Sequence, residues 1–166
     1  MTPEVLLAVW LVFGNPDDVK KPEEVAVVLW AGRERAEAHK MPLADVLRRM
    51  TAYNRRTPAY WRAVMYMSRH AAEYDLTDEA RELLKGEAEQ AKDPKPGWTK
   101  QDTARLKAAT QLVKRELDKP LSASPLGGAT DFGKPGQPVY DAIAEHRELK
   151  PTKRLGCWQL YKEVEP

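Results

Sequence analysis

The densest group of side chains with binding chemistry lies in residues 48–69, which hold six arginines; no acidic residue occurs between Asp45 and Glu73. The arginines are Arg48, Arg49, Arg55, Arg56, Arg62 and Arg69. Tyr53, Tyr60 and Trp61 are interleaved with them. Arginine supplies charge for the backbone of a polyanion, and exposed rings stack on bases or sugars. Alternatively, Tyr60 and Trp61 belong to the core and the arginines form a solvated rim. The candidate ligand-binding residues here are Tyr53, Arg55, Arg56 and Trp61.

The residue types give little support for metal, disulfide or nucleotide chemistry. His39, His70 and His146 are far apart and lack the pair spacings of zinc ligands, so no metal site is expected. The single cysteine, Cys157, excludes an internal disulfide. Residues 128–134 match the phosphate-loop pattern until Pro135 replaces the hydroxyl residue that would hold magnesium, and no buried strand precedes them. The chain therefore predicts no cofactor.

The hydrophobic pattern predicts a mainly α fold. Helix starts are expected near Pro3, Pro22, Pro42, Pro58, Thr77 and Thr99, several marked by a threonine cap or a proline in the first turn. Residues 119–138 are rich in glycine and proline and predict a long loop. Residues 139–149 predict a further helix and residues 157–164 a short strand. With 166 residues, one domain spanning 1–166 is expected, divided into a helical part, 1–118, and a C-terminal part, 119–166.

Charge and hydropathy limit the class of protein. The 27 Lys plus Arg and 25 Asp plus Glu residues leave a net charge of +2, which is too small to indicate an anionic partner by itself. The apolar run at residues 5–13 is too short to span a membrane, follows no basic residue and precedes no small-residue cleavage site. We expect a chain made in the cytoplasm without a signal peptide and without a membrane span.

Several short segments, in order, resemble one family. Residues 124–132, Ser-Pro-Leu-Gly-Gly-Ala-Thr-Asp-Phe, are similar to the Gly-Ala-Thr-His-Phe signature of the spore-cortex-lytic type cell-wall hydrolases. Residues 155–161, Leu-Gly-Cys-Trp-Gln-Leu-Tyr, resemble the closing Ile-Gly-x-His-x-Phe-Tyr segment, and residues 6–16 and 25–33 resemble the first two helices. The resemblance implies a small lysozyme-like helical domain, of the kind found in germination enzymes, phage lysins and virion-associated hydrolases.

The chain departs from the family at its polar positions. The family's catalytic Glu would fall near Leu11 or Val12, which are apolar, while Asp131 and Trp158 stand where the family has histidines and Gly32 replaces an Asn. Glycan cleavage of this kind needs a carboxylic acid that stays protonated until it donates to the leaving oxygen. Without such an acid, most of the catalysis should be lost.

The nearest replacement acids define the tentative catalytic residues. Asp17 and Asp18 follow the first helix, Glu23 and Glu24 open the second, and Asp131 on the glycine loop is a candidate second carboxylate. Each also suits a helix cap or a solvated surface. The resemblance further points to Thr130, Trp158 and Tyr161 as ligand-binding residues of the same cleft.

Three functions follow from these observations. The leading hypothesis is a phage-encoded, peptidoglycan-hydrolase-like domain with an altered or lost cleft, which serves cell-wall binding or virion (tail) assembly with other virion proteins. The second is an active glycan-cleaving lysin that uses a displaced carboxylate. The third is a nucleic-acid-associated helical protein that uses the arginines of residues 48–69.

Overall fold

A computed structural model describes residues 1–14, 22–91 and 93–164 of the chain, apart from the side chains of Glu23 and Tyr53. The candidate acids Asp17 and Asp18 lie outside the described residues, so the structure does not bear on them.

The described chain is mainly helical, and its helices begin where the sequence predicts. They are α1 Pro3–Phe13, α2 Pro22–Ala38, α3 Leu43–Asn54, α4 Pro58–Arg69, α5 Asp78–Gln90, α6 Lys100–Asp118 and α7 Tyr140–Ala144. The hydroxyls of Thr2, Thr57, Thr77 and Thr99 each accept a hydrogen bond from a backbone N–H in the first turn. The Asp102 carboxylate in turn accepts a hydrogen bond from the Thr99 N–H, which completes a capping box.

The core is built around α1 and α2. Every residue from Leu6 to Phe13 is buried, and so are residues 26–31 of α2, because α1 packs against α2, α3, α4 and α6. Trp10, Trp30 and Tyr60 are among the largest fully buried side chains. Of the two rings that the alternative interpretation assigns to the core, Tyr60 is buried and Trp61 is only half-buried.

A small antiparallel sheet follows the helices. Its strands are β1 Asp131–Gly133, β2 Leu149–Leu155 and β3 Trp158–Glu163, in the order β1-β3-β2. The strand expected at residues 157–164 is confirmed as β3, whose Trp158 and Leu160 are buried.

The C-terminal part differs from the prediction in three places. The long loop predicted for residues 119–138 contains the strand β1, Asp131–Gly133. The helix predicted for residues 139–149 shortens to α7, and its last predicted residue, Leu149, begins β2 instead. Residues 150–154 of β2 are exposed on both faces, so the segment lacks the apolar alternation that predicts a strand, and Pro151 argues against one. β2 forms because its backbone pairs with β3, although the pattern of its side chains does not predict a strand.

The β2–β3 turn docks on the start of α2. The Glu24 carboxylate accepts a hydrogen bond from the Cys157 N–H at 3.0 Å, and the Trp158 indole donates to the Glu24 carbonyl at 2.8 Å. Gly156 has φ +57°, and a Cβ there would collide with the Glu24 carboxylate, so the position requires glycine on both grounds. Phe132 of β1 meets Trp158 edge to face at 5.1 Å between ring centroids.

In the part of the chain that the structure describes, no helix has both the length and the apolar content needed to cross a membrane.

Candidate functional site

The positions where the resemblance would place a catalytic acid are part of the core. Leu11 and Val12 are 3% and 7% exposed on the buried helix α1. The Leu11 carbonyl accepts a hydrogen bond from the side-chain amide of Asn54 at 3.1 Å. No carboxyl group replaces the expected Glu on this helix end.

Asp131 lies at the centre of a closed set of polar groups that we call the Asp131 network: Arg35, Thr130, Asp131 and Arg147. Arg35 donates to its carboxylate at 2.7 Å, and Arg147 donates through two nitrogens at 2.8 and 3.0 Å. The Thr130 hydroxyl adds a hydrogen bond at 2.7 Å. The Asp131 side chain has no exposed surface, and both arginine side chains are under 10% exposed.

The Asp131 network fixes the charge of its carboxyl group. Burial by itself would raise the pKa of Asp131, but the hydrogen bonds from Arg147 and Thr130 and the charge of Arg35 outweigh burial and lower it. An ionised, fully enclosed carboxylate can neither donate a proton to a glycan nor contact one. In this arrangement Asp131 ties α2 to β1 and to the segment after α7.

The remaining residues predicted for this cleft are mostly packing residues. Thr130 and Trp158 are buried, and Tyr161 is half-buried beside Asp131 in the β1–β3 pairing. The Trp158 indole is engaged with Glu24, as described above. The sheet therefore brings the predicted residues together, but Thr130, Asp131 and Trp158 are buried and form no open cleft.

Asp141 is an acid that sequence reasoning missed. It lies on α7, with one oxygen 4.0 Å from Arg35 and about half of its side chain exposed. Burial raises the pKa of Asp141, and although the charge of Arg35 lowers it, the charges of Glu145 and Asp131 add to the rise, so the pKa is raised overall. A carboxyl group with a raised pKa at an accessible position has the property that a general acid needs. Nothing in its sequence neighbourhood distinguishes it, because the shift arises from residues brought close by folding.

The arginines of residues 48–69 are divided by folding. Arg55 pairs with Glu87 of α5, and Arg62 pairs with Asp102 of α6 at 3.1 Å. Glu87 also accepts a hydrogen bond from the Tyr60 hydroxyl at 2.8 Å. Arg48 borders a cavity of about 600 Å³ whose other charged lining residues are the acids Asp78, Glu79, Glu82 and Glu87. The acid-free stretch of sequence therefore does not become an acid-free surface.

Three of the four predicted ligand-binding residues of this cluster, Arg55, Arg56 and Trp61, lie around a shallow depression of about 360 Å³. Arg56 is exposed, Arg55 is half-buried, and the half-buried Trp61 donates its indole N–H to the Arg55 carbonyl at 2.5 Å. Tyr53 belongs to α3, and its side chain lies outside the described set.

A deeper groove, the α4 groove, adjoins this depression across Asp93 and Pro94. It has a volume of about 410 Å³, and its lining includes Arg62, Tyr66, Arg69, His70, Asp93 and Trp98. The Tyr66 ring lies between Trp98 and His70, with centroid distances of 4.0 and 4.2 Å, and Trp98 also stacks on buried Phe13 at 5.7 Å. The result is an aromatic column that runs from the core to the surface.

The polar groups of the α4 groove are weakly paired. Arg69 and Asp93 are 67% and 86% exposed and 3.9 Å apart, a surface pair that contributes little stability. His70 is 41% exposed and 3.4 Å from Glu73. Arg62, held by Asp102, forms a more rigid wall. The groove offers donors, an acceptor and a fixed apolar surface in one place.

Part of this groove was accessible to prediction. Arg62, Tyr66 and His70 are spaced by four residues, which places them on one helix face. Trp98 and Asp93 come from the loop before α6, and their approach to α4 depends on tertiary packing that has no sequence signature.

Within residues 1–14, 22–91 and 93–164, no three His, Cys, Asp or Glu side chains are grouped as metal ligands would be. The chain matches no family model, and no curated protein or solved structure is significantly similar to it.

Proposed function

We propose that this chain is a non-lytic binding domain that takes a glycan strand in the α4 groove, with peptidoglycan as the polymer suggested by the resemblance. The observation that carries the proposal is the combination, in one accessible groove, of the Tyr66–Trp98 stack with the exposed Arg69 and Asp93 pair.

The chemistry of the α4 groove suits a polyol better than a phosphate polymer. Sugar hydroxyls both donate and accept hydrogen bonds, so they can use Arg69 and Asp93 together. A phosphate chain would gain from Arg69 but be repelled by Asp93. The faces of Tyr66 and Trp98 are covered within the aromatic column, so the two rings contribute their edges to the groove as a fixed apolar wall, of the kind that lines small-molecule sites.

The absence of lysis is supported by the expected catalytic positions. Leu11 and Val12 are buried and apolar, and Asp131 is enclosed by two arginines. A domain of this kind can anchor a larger assembly to a cell wall, and association with a virion or its tail proteins remains part of the proposal.

The second candidate is an active glycan-cleaving lysin, which the raised pKa of Asp141 favours. Asp141 rather than Asp131 would then be the proton donor. Nucleic-acid binding by the arginines of residues 48–69 is disfavoured, because Glu87 and Asp102 neutralise two of them.

The deciding experiment measures binding and cleavage on the same purified peptidoglycan. Co-sedimentation gives affinity, and release of reducing ends between about pH 4 and 8, the range where a shifted carboxyl group works, gives activity. We expect saturable binding without release. Release that disappears in Asp141→Asn would replace the proposal with the lysin.

The groove is tested by Arg69→Ala/Asp93→Ala, with Arg81→Ala/Asp78→Ala as the matched control. The control removes a comparably exposed pair, 63% and 96%, on α5. Two lost hydrogen bonds of about 1 kcal/mol each should weaken binding roughly tenfold to thirtyfold in the groove variant. Neither variant should change stability by more than about 0.5 kcal/mol. Equal loss in both variants, or in neither, would contradict a site in the α4 groove.

A further inference from the structure

The α4 groove continues past Asp93 and Pro94 into the neighbouring depression, which we call the Trp61 depression and whose lining also includes Arg55, Arg56 and Trp61. We propose that the glycan site spans both cavities, so that it takes a chain of at least two sugar units, and that Arg56 receives a carboxylate carried by the second unit. This inference rests on the proposed glycan binding and adds to it the length and the charge of the ligand.

The first observation is that the two cavities are contiguous and similar in size. Asp93 and Pro94 line both of them. The Asp93 side chain is 86% exposed, so it forms a rim between the cavities rather than a closed wall. Their volumes of about 410 and 360 Å³ are both near the lower limit of small-molecule sites, about 300–1,000 Å³. Each cavity therefore suits one small unit, and a chain of linked units suits the pair.

The second observation is that Trp61 is held in a fixed orientation. Its indole N–H donates to the Arg55 carbonyl at 2.5 Å, and the buried Tyr60 ring meets it edge to face at 5.0 Å between centroids. Among the described aromatic rings no other contacts Trp61, so at least one face of the indole is not covered by a ring. The half-buried indole is therefore an apolar surface on which the C–H groups of a second sugar can pack.

The third observation is that the turn between α3 and α4 presents Arg56 at a fixed place. The Thr57 N–H and hydroxyl both donate to the Asn54 carbonyl, at 2.8 and 2.7 Å, and the Arg55 N–H donates to the Thr51 carbonyl at 3.0 Å. Because the backbone on both sides of Arg56 is already ordered, a ligand does not have to order this turn when it binds.

The charge of Arg56 is not balanced by the protein. Each of the other arginines that line the two cavities has a carboxylate partner: Arg55 with Glu87, Arg62 with Asp102, and Arg69 with Asp93. Arg56 is exposed, and no described residue forms an ion pair with it. Asp93 is the only acid among the described residues that line either cavity.

This arrangement suits a carboxylate next to a polyol. A guanidinium can bind a carboxylate through two parallel hydrogen bonds, and such charge-assisted bonds are stronger than neutral ones. A doubly charged phosphate in the Trp61 depression would be repelled more strongly by Asp93, which lines the same cavity. The carboxylate can belong to the sugar itself or to a short peptide attached to it, and the experiment separates these two sources.

The test measures binding of the full chain to matched saccharides by titration calorimetry. N-acetylglucosamine and its β-1,4-linked dimer and tetramer vary length alone. The disaccharide of N-acetylglucosamine and N-acetylmuramic acid, with its lactyl carboxyl group free or amidated, places the charge on the sugar. A disaccharide–peptide with free or amidated peptide carboxyl groups places it on the peptide.

We expect two gains in affinity. From the monomer to the tetramer, affinity should rise roughly tenfold or more, since the linked unit meets the second cavity at a high effective concentration. One of the two free carboxylates should bind about fivefold to tenfold more tightly than its amidated form, and the pair in which this occurs identifies the source.

Single substitutions separate the contributions. Arg56→Ala should abolish the preference for the carboxylate and leave the neutral tetramer unaffected. Asp93→Asn should increase that preference, because it removes the acid that lines the same cavity. Trp61→Ala should remove the gain with chain length and leave monomer binding unchanged. The control is Arg49→Ala, an exposed arginine of α3 that has no ion-pair partner among the described residues and lines neither cavity. It should change none of these quantities.

Two kinds of failure are distinguishable. Equal affinity for monomer and tetramer, no preference for either free carboxylate, or a preference that survives in Arg56→Ala would overturn this inference and leave glycan binding in the α4 groove standing. An equal loss of the preference in Arg49→Ala would also overturn it, since the effect would then be one of general surface charge. No binding of any saccharide, the tetramer included, would refute the proposed function and this inference together.

Discussion

The Asp131 network and the α4 groove contain similar residue types in opposite states. In the network, two arginines surround one carboxylate that has no exposed surface, and the donors face inward. In the groove, Arg69 and Asp93 are 3.9 Å apart and largely solvated. Charged groups that satisfy one another in the interior specify packing, whereas those left loosely paired at a concave surface remain available to a ligand. The family resemblance predicts a cleft in the first region, whereas the accessible polar groups lie in the second.

The largest expected effect breaks the Asp131 network. Asp131→Asn removes the buried carboxylate that Arg35 and Arg147 share and leaves them the more exposed Asp141, at 4.0 Å, and Glu145, at 2.8 Å, so the free energy of unfolding should fall by about 3 kcal/mol. Chemical denaturation measures it. Asp141→Asn, at a half-exposed position with a 4.0 Å contact to Arg35, is the control and should change stability by less than about 1 kcal/mol. An equal loss of stability in both variants would mean that the burial of Asp131 between the two arginines does not determine its contribution to stability.

A second prediction concerns the carboxylate that neutralises part of the arginine cluster. Glu87→Gln removes the charged partner of Arg55 and weakens the hydrogen bond from Tyr60. Hydrogen bonds to charged groups contribute about 1.5–3 kcal/mol, so a loss of roughly 1–3 kcal/mol is expected by thermal or urea unfolding. Glu89→Gln, exposed on the same helix, should have no measurable effect. If Glu87→Gln left the free energy of unfolding unchanged, the ion pair between Arg55 and Glu87 would contribute nothing to stability.

The pH dependence of stability should report the Asp131 network. The folded-state pKa of Asp131 is lowered relative to the unfolded chain, so its contribution is complete above about pH 4 and is lost as pH falls through the folded pKa. Glu116, whose pKa is lowered by Lys119, Trp30 and Arg115 against the effect of burial, acts in the same direction. Asp141, with a raised pKa, opposes them just above pH 4. Melting temperatures should decline toward about pH 2, and the decline should be smaller in Asp131→Asn than in the parent chain.

The smallest expected effect is a gain. Lys150→Thr removes the repulsion from Lys162 and introduces a residue that favours strands, so stability should rise by about 0.2–1 kcal/mol in the absence of any anion. Thermal unfolding at low salt measures the gain. Lys107→Thr on α6 should give no gain, since a threonine is less favourable than lysine on a helix. A loss of stability in Lys150→Thr would mean that the lysine stem packs on the hairpin.

The sequence predicts the helices well because their signals are local. The threonine caps, the prolines in first turns and the apolar α1 each depend on neighbouring residues, and all are found in the structure. β2 was missed because its residues are polar on both faces, so only pairing with β3 defines it.

The candidate site was predictable only in part, for a different physical reason. The rise in the pKa of Asp141 and the neutralisation of Arg55 and Arg62 come from side chains contributed by other elements. A stretch without acids in sequence says nothing about acids that fold onto it. Conversely, the four-residue spacing on α4 anticipates one wall of the groove, but its opposite wall, with Trp98, is a tertiary contact. Whether the fold is lysozyme-like, as the resemblance implies, stays a prediction.

The docking of the β2–β3 turn on Glu24 also determines which contacts can form last during folding. The hydrogen bonds from Cys157 and Trp158 to residue 24 close loops of 133 and 134 residues, and the bond between Arg35 and Asp131 closes one of 96. Such contacts form late, because the entropy of loop closure must be overcome first and the C-terminal partner leaves the ribosome last. Until then Arg35 lacks its partner Asp131, and the part of α2 that contacts β1 is uncovered. A chain truncated before residue 157 lacks both bonds that hold the hairpin on α2, so it should be cleaved faster by added protease than the parent chain.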